Sequence, residues 1–232
     1  MKRRTFLIAA ASTAVLPTAL AQAKPLKIGI IGSGRIGTTF GTLWAKAGHD
    51  VMFSDRDPEN AKRAAESVGA HARAGSVDQA VTFGDAVLIA VPYGALPAIA
   101  QQVGEKLKGK VVIDPNNPVP SRDGEMAAAA KEKGAAVSTA AMFPGARTVR
   151  AFNSWGYQTM AREANRQAPR MAIPVAADDP QALKVGVQLV RDAGFDPVPA
   201  GSLADSKAFD LGSSVSGKVM TAEEMRKALS LR

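Results

Sequence analysis

The sequence predicts an α/β fold in which helices cover both faces of one doubly wound, mostly parallel sheet. Three observations support this prediction. Strand-like apolar runs alternate with helix-like runs, a glycine-rich bend joins the first strand to the first helix, and no linker rich in Pro, Gly or Ser marks a second domain. Each crossover helix returns the chain to a strand of the same parallel sheet, so the alternation places these elements in a single domain.

Segments rich in β-branched and other apolar residues are predicted strands, and they lie at 26–31, 51–54, 70–74, 86–91, 111–114, 148–152 and 171–176. Segments with alanine, leucine and charge at helical spacing are predicted helices, and they lie at 35–47, 58–68, 77–83, 96–107, 124–133 and 180–193. Gly48 is placed to cap the end of the first helix, and Pro58 to begin the second. Acceptor specificity is expected to reside in the segments after the fifth strand and in the tail 201–232, where the sequence offers loops but no chemistry.

The first 23 residues carry a targeting pattern. Arg3 and Arg4 precede an apolar run, which small residues follow at a cleavage-type spacing. This is typical of a twin-arginine signal peptide, so we expect the twin-arginine translocation machinery as a partner and a periplasmic or secreted location. The run is short and interrupted by Pro17, which favours cleavage over the alternative of an uncleaved anchor and predicts no stable membrane anchor. Residues 24–232 then form the globular domain with a C-terminal extension.

Composition excludes several classes of function. The chain has 29 Lys and Arg against 21 Asp and Glu, a formal net charge of +8. Its basic residues do not form runs with interleaved aromatic residues, so the excess favours solubility over nucleic-acid binding. The sequence contains no cysteine and only His49 and His71 as histidines. Disulfides, thiolate catalysis and a zinc or haem site are therefore not expected.

The glycine bend is the most informative motif. Gly32, Gly34 and Gly37 follow the first predicted strand and open the first predicted helix. In a dinucleotide-binding bend the first glycine allows a tight turn, the second lets the backbone approach a pyrophosphate, and the third lets the helix pack on the strand. The phosphates then lie at a helix N-terminus, which favours an anion. An ordinary strand-to-helix turn is the alternative. In its context the motif predicts a Rossmann-like domain that binds NAD or NADP.

The residues at the end of the second strand do not decide whether the cofactor is NAD or NADP. Asp55 occupies the place that meets the adenosine ribose, about 20 positions after the first glycine. Its carboxylate favours the ribose hydroxyls of NAD, whereas the guanidinium of Arg56 favours the 2′-phosphate of NADP. Ser54 offers a hydroxyl to either nucleotide. Asp55 alternatively caps the helix that begins near Pro58.

Ligands of doubly wound sheets bind outside the carboxyl ends of the strands. The fourth strand ends at Val91 and Pro92, with Tyr93 beside them, and the fifth ends near Asn117. Tyr93, Asn117 and Asn153 are candidates for orienting a carboxamide or an acceptor ring. Strand-ending prolines, asparagine turns and structural side chains are the alternatives at these positions.

The chain resembles the NADP oxidoreductases that depend on coenzyme F420, a deazaflavin, and the related reductase domain of the six-transmembrane metalloreductases. The shared segments lie in the same order and are spread along nearly the whole of residues 24–232; they are 28–37, 47–51, 88–93, 112–114 with 117–118, 144–147, 150–153, 177–179, 192–198 and 217–218 before 221–224. In this chain Asp55 replaces an uncharged residue and Arg150 a lysine, and the first change bears on NADP preference.

The resemblance implies that 33–36 touch the pyrophosphate, that 54–56 hold the 2′-phosphate, and that 91–92 and 151–153 line the nicotinamide. Together with the bend and the orienting candidates, the expected cofactor-binding residues are Gly32, Ser33, Gly34, Arg35, Ile36, Gly37, Ser54, Asp55, Arg56, Val91, Pro92, Tyr93, Asn117 and Asn153. The sequence offers no triad, paired carboxylates or metal cluster, so it names no catalytic residue and no metal.

The expected function is transfer of a hydride between NADP(H) and a flavin, a deazaflavin (F420) or a similar small redox acceptor, with NAD as the alternative cofactor. Such a reaction asks the protein mainly to position two rings and exclude water. One alternative is an exported nucleotide-binding or accessory protein without turnover. A second alternative is an imine reductase, which ranks lower because the residues after the predicted sheet are too few for the helical dimerisation domain of those enzymes. A homodimer is plausible because a small Rossmann unit leaves its acceptor pocket open.

Overall fold

The computed structural model describes residues 24–231. Its strands are β1 (Lys27–Ile31), β2 (Asp50–Ser54), β3 (Ala72–Ala74), β4 (Ala86–Ile89), β5 (Val111–Asp114), β6 (Arg147–Arg150), β7 (Ala172–Ala177) and β8 (Asp196–Pro199). Its α-helices are α1 (Arg35–Lys46), α2 (Pro58–Val68), α3 (Val77–Phe83), α4 (Leu96–Leu107), α5 (Pro120–Lys133), α6 (Ala135–Met142), α7 (Tyr157–Glu163), α8 (Pro180–Asp192) and α9 (Ala222–Ala228), and short 3₁₀ helices lie at Tyr93–Ala95 and Asp205–Phe209.

The strands form one sheet in the order β3-β2-β1-β4-β5-β6-β7-β8. Neighbouring strands are parallel except β6 and β7, which are antiparallel. The order reverses between β1 and β4, so the carboxyl ends of these two strands flank the crevice of a doubly wound sheet. The predicted α/β, Rossmann-like fold is confirmed.

Each face of the sheet has its own apolar core. On one face Ile28, Ile30 and Phe53 pack with Phe40 and Trp44 of α1, all buried. Because side chains alternate along a strand, the other face carries a separate cluster under α3, α4, α5 and α6. Its buried members include Ile31, Val87, Ile89, Leu96 and Phe143.

Several predicted elements change at their ends. The strand predicted at 148–152 ends at Arg150, because Phe152 has a φ of 65° and turns the chain away from the sheet. The helix predicted from 124 begins at Pro120 and bends at Gly124, where φ is 56°.

Four regular elements lie where no element was predicted: α6, α7, β8 and α9. The tail from residue 201 is therefore not made of loops alone, since Thr221 caps α9 through a capping box with Glu224. Helix α6 was not predicted because it is rich in alanine and lacks the amphipathic spacing that indicates a helix in a sequence.

The predicted signal peptide, residues 1–23, lies outside the described residues. Within 24–231, none of the helices combines the length and the apolar character that crossing a membrane requires.

Candidate functional site

The glycine bend lies where β1 meets α1, and its three glycines have different reasons to be glycine. Gly32 has a φ of +98°, and a Cβ there would lie 2.3 Å from the carbonyl oxygen of Ala90. A Cβ on Gly37 would lie 1.9 Å from the carbonyl oxygen of Gly32, so α1 packs closely on the strand. Gly34 has an ordinary φ of −72°, and a Cβ there would meet no atom within 4 Å. The protein itself does not require Gly34, but a ligand close to the backbone would.

The N-terminus of α1 is open toward this space. Gly34 is its N-cap, and neither a side-chain cap nor an acidic residue lies in its first turn. The Ser33 hydroxyl turns inward and donates to the carbonyl oxygen of Ser54 (3.1 Å). First-turn amides and the positive end of the helix macrodipole therefore face solvent, which suits a pyrophosphate.

A cavity of about 850 Å³ begins at the glycine bend and runs across the ends of β2, β3 and β4. Six of the predicted residues line it, namely Gly32, Gly34, Asp55, Arg56, Val91 and Pro92. The other lining side chains that matter for recognition were not predicted, and they are Lys62, Ser76, Val77, Ile99 and Gln102. Its volume and its mixed apolar and basic lining are typical of a nucleotide site.

Lys62 was not predicted as a site residue, although its spacing in the sequence could have indicated it. Pro58 and Lys62 are four positions apart on α2, so they share a face of the helix, and both line the cavity. The Lys62 ammonium is half exposed and pairs with Glu59 (2.6 Å). Arg56 is exposed at the same rim. These two cations form the basic part of the cavity wall.

Asp55 braces the glycine bend. One carboxylate oxygen accepts from the amide of Ser33 (2.8 Å), and the other accepts from the amide of Asp57 (3.1 Å) and the side chain of Asn60 (3.1 Å). Burial raises the pKa of the Asp55 carboxyl, but these hydrogen bonds outweigh it and hold the pKa below its ordinary value. Asp55 is therefore a carboxylate at neutral pH. The N-cap of α2 is Asp57, which accepts from the amide of Glu59 (3.0 Å), so the alternative role of Asp55 as that cap is wrong.

The expectation that Ser54 contacts the cofactor is not supported. Its side chain is 0% exposed, and its hydroxyl donates to the carbonyl oxygen of Ile30 (2.9 Å). Because the Ser54 side chain points away from the cavity, its hydroxyl makes its hydrogen bond inside the sheet. A 2′-phosphate would therefore meet Arg56 and Lys62 and not the Ser54 hydroxyl.

Tyr93 also points into the core. Its side chain is fully buried, and its hydroxyl is directed to the carbonyl oxygen of Ala135 at 3.5 Å. Burial raises the pKa of this phenol above its ordinary value. Tyr93 packs in the second core and does not line the cavity, so the structure does not support the prediction that it binds cofactor.

Asn117 and Asn153 join loops and do not reach the cavity. The Asn117 amide donates to the backbone oxygen of Asn153 (2.5 Å), and its oxygen accepts from Arg150 (3.1 Å). The Asn153 amide donates to the carbonyl oxygen of Phe209 (2.9 Å). The implied lining role of 151–153 is likewise not supported, because all three residues are buried and Phe152 packs on Phe40 with ring centroids 4.2 Å apart.

Arg150 is the centre of this arrangement. Its guanidinium is fully buried and donates to Asp114 (3.1 Å), to the backbone oxygen of Asn116 (2.5 Å), to Asn117 and to Asp210 (2.8 Å). Burial raises the pKa of the Asp114 carboxyl, although the charge of Arg150 opposes the shift. The cluster fastens the ends of β5 and β6 to the segment after the second 3₁₀ helix.

A second ion pair holds the loop after β5. Asp123 accepts from the amides of Gly94 (3.0 Å) and Val119 (2.7 Å) and from the guanidinium of Arg122. Hydrogen bonding by Arg122 is the largest cause that lowers the pKa of Asp123 to about 2. Arg122 also donates to the carbonyl oxygen of Asn117 (2.8 Å). The turn after β4 and the loops after β5 and β6 are thus joined by continuous hydrogen bonds.

Residues 27–118 match the model of a protein family described as NADP oxidoreductase, coenzyme F420-dependent. The F420-dependent NADP reductase of Methanothermobacter thermautotrophicus is 27% identical over 199 residues, which are 80% of this chain and 85% of that protein. Rat metalloreductase STEAP3 is 29% identical over 187 residues, which are 78% of this chain. The match spans only 35% of STEAP3, about a third of its length.

Solved structures show the same fold. A hypothetical protein from Sinorhizobium meliloti superposes with a TM-score of 0.73 at 23% identity, covering 87% of this chain and 97% of that one. The 3-hydroxyisobutyrate dehydrogenase of Mycobacterium tuberculosis gives a TM-score of 0.58 at 18% identity, covering 80% and 57%. The family that the motifs indicated is supported by the sequence matches, and the names of these relatives agree with the predicted class of NAD(P)-dependent oxidoreductase.

Proposed function

Because residues 27–118 carry the sequence pattern of the coenzyme F420-dependent NADP oxidoreductases, we propose that the chain is an NADP(H)-dependent oxidoreductase acting on a flavin, a deazaflavin or a similar small redox acceptor. The observation that carries the proposal is Gly34: a glycine without a conformational or packing reason within the protein, at the uncapped N-terminus of α1. A pyrophosphate against that backbone supplies the reason.

The residues present fit the rest of a dinucleotide. Val77, Ile99 and Gln102 offer an apolar wall with one amide for an adenine, and Val91 and Pro92 offer apolar surface toward the nicotinamide end. Arg56 and Lys62 supply two cations for a 2′-phosphate, which favours NADP, while NAD remains the alternative because the Asp55 carboxylate lines the same cavity.

When bound, the nicotinamide supplies or takes up the hydride. The chain contributes position and shielding: the bend fixes the pyrophosphate, the apolar residues after β4 exclude water, and the Arg150 and Asp123 clusters hold the loops rigid. A reaction of this kind requires no acid or base from the protein to form the C–H bond.

The test is thermal unfolding of the purified protein with NADPH and with NADH. A ligand at about 100 times its Kd stabilises the folded state by about 2.7 kcal/mol, so NADPH should raise Tm clearly and NADH less. Failure of both nucleotides to raise Tm would sink the proposal. NADPH oxidation with added flavins then measures turnover.

A nucleotide-binding protein without turnover is the alternative, and one observation favours it. The polar side chains expected to orient an acceptor, Tyr93, Asn117 and Asn153, are all committed to contacts inside the protein. Bound nucleotide combined with no acceptor-dependent oxidation of NADPH would support this alternative.

Export through the twin-arginine pathway to the periplasm, and association as a homodimer, are further parts of the proposal. Only the sequence pattern of residues 1–23 supports export. That pathway carries folded proteins, so a dinucleotide bound in the cytoplasm could travel with the chain. Mass analysis of small molecules released from protein purified out of the periplasm tests both location and cofactor.

A further inference from the structure

A second cavity of about 650 Å³ follows the outer face of α1, and we call it the α1 groove. It meets the dinucleotide cavity at Gly34, which lines both. Arg35 lies at its upper end, Thr38 and Thr42 along its floor, Lys46 at its lower end, and Tyr157 of α7 forms a side wall. Ser33, Gly34 and Arg35 at its upper end are expected pyrophosphate contacts, but neither the motifs nor the matches to relatives assign a role to the rest of the groove.

The charged residues that line the groove are all basic. Its ten lining residues include Arg35 and Lys46 and no acidic residue. Neither cation takes part in an ion pair among the described residues. Arg35 is also the first residue of α1, where the helix macrodipole disfavours a cation. An anion in the groove would offset this cost.

Tyr157 holds the Arg35 guanidinium at the mouth of the groove. The guanidinium carbon lies 5.2 Å from the centre of the Tyr157 ring, within the range of a cation–π contact. Because Arg35 directly follows Gly34, this contact lies beside the bend, where the two cavities meet. A molecule stacked on the nicotinamide could therefore enter the groove past Arg35 and Tyr157.

The floor of the groove suits an extended chain that carries hydroxyl groups. Thr38 donates its hydroxyl hydrogen to the carbonyl oxygen of Ser33 (3.0 Å), and Thr42 donates to that of Thr38 (2.8 Å). Their methyl groups and oxygen lone pairs remain for a ligand. From Arg35 to Lys46 the helix rises about 16 Å, at about 1.5 Å per residue.

We propose that the α1 groove binds the anionic, chain-like tail of the redox acceptor while its ring lies against the nicotinamide. The tail is a phosphate- or carboxylate-bearing chain on a flavin- or deazaflavin-type ring. Lys46 and Arg35 attract the anion, and the threonine oxygens accept from hydroxyl groups of the chain. The proposal rests on the proposed function, because the ring position presupposes NADP(H) in its cavity.

The absence of cysteine from the chain allows a test specific to the groove. A single thiol is introduced by Thr42→Cys, and its rate of alkylation by N-ethylmaleimide is measured with saturating NADP⁺, with and without FAD or riboflavin. FAD should slow alkylation because its diphosphate tail fills the groove, and riboflavin should not. Thr82→Cys is the matched control, since Thr82 is exposed on α3 and also donates to the carbonyl four residues before it (2.9 Å).

Charge is tested in the Thr42→Cys background. Lys46→Gln should raise the FAD concentration that gives half protection several-fold, and added salt should have the same effect by screening the attraction. Lys131→Gln, which changes an exposed lysine of α5 outside both cavities, should have no effect.

Three results would overturn the groove proposal: no protection by FAD, equal protection by riboflavin, or protection without ligand that grows with protein concentration, which would place a second copy there. If NADPH raises Tm and FAD gives no protection, the groove proposal fails and the proposed function stands. If neither NADPH nor NADH raises Tm, the proposed function fails.

Discussion

The carboxylate of Asp55 accepts a hydrogen bond from the backbone amide of Ser33 at 2.8 Å, so the residue after β2 is fastened to the glycine bend after β1. This contact places a negative charge between the pyrophosphate position and the basic rim of the cavity. The preference between the two nicotinamide dinucleotides follows from it, because that charge opposes a 2′-phosphate and suits ribose hydroxyls.

Asp55→Asn should shift the preference toward NADPH. The carboxylate is charged at neutral pH because its pKa lies below its ordinary value. Its removal should strengthen NADPH and weaken NADH binding, with a change in the ratio of Kd values of about tenfold, equivalent to about 1.4 kcal/mol. Fluorescence titration with each nucleotide measures the ratio, and an unchanged ratio would contradict the role assigned to Asp55.

Arg56→Gln and Lys62→Gln should each weaken NADPH and spare NADH. A hydrogen bond to a charged group contributes about 1.5–3 kcal/mol, so each change should raise the Kd of NADPH by roughly tenfold or more. Lys131→Gln serves as the control for loss of a positive charge elsewhere. Equal weakening of NADPH and NADH would show that these cations do not contact a 2′-phosphate.

Gly34→Ala should mainly weaken nucleotide binding, whereas Gly37→Ala should mainly destabilise the fold. The first places a Cβ in open space and should cost the fold no more than about 1 kcal/mol, the preference for glycine over alanine at an N-cap, while weakening NADPH binding roughly tenfold or more. The second drives a Cβ to 1.9 Å from the carbonyl oxygen of Gly32 and should destabilise the fold by about 1–3 kcal/mol. Unaltered nucleotide affinity in the Gly34 variant would remove the observation that carries the proposed function.

Asp123→Asn should destabilise the protein in a pH-dependent way. The folded-state pKa is about 2, below the ordinary 3.8, so the carboxylate stabilises the fold fully above about pH 4 and less as the pH falls toward 2. The Tm difference from the wild type should therefore be largest near neutral pH and close over that interval. Glu125→Gln, an exposed carboxylate on the same helix, is the control. A constant Tm difference down to pH 2 would disprove the account.

Arg150→Met should destabilise the fold strongly, since it leaves the buried Asp114 carboxylate without its cation. Breaking such a pair costs about 3–5 kcal/mol, which lowers Tm on the order of 10 °C for a chain of this size. Adding Asp114→Asn to this variant should recover part of the loss, because the uncompensated charge is then gone. Denaturant unfolding of the single and double variants measures the recovery, and its absence would mean that packing and not charge sets the cost.

The glycine bend, the mostly parallel sheet and the cavity residues Asp55, Arg56, Val91 and Pro92 could be predicted from the chain, because motif spacing and the alternation of strands and helices indicate where they lie. Lys62 was within reach through its four-residue spacing from Pro58. Ser54 and Tyr93 were misplaced because their neighbours in the chain mark the site while their own side chains point inward.

The sequence by itself determined the α/β alternation and the bend that suits a pyrophosphate, since local spacing and backbone freedom carry both. Only the tertiary structure decided that Arg150, Asp114 and Asp210 form one buried cluster and that Asn117 and Asn153 serve it. These residues come from β5, β6 and the C-terminal segment. The physical reason is that burying a charge is costly without a partner, and partners distant in the chain are chosen by how the strands and loops pack.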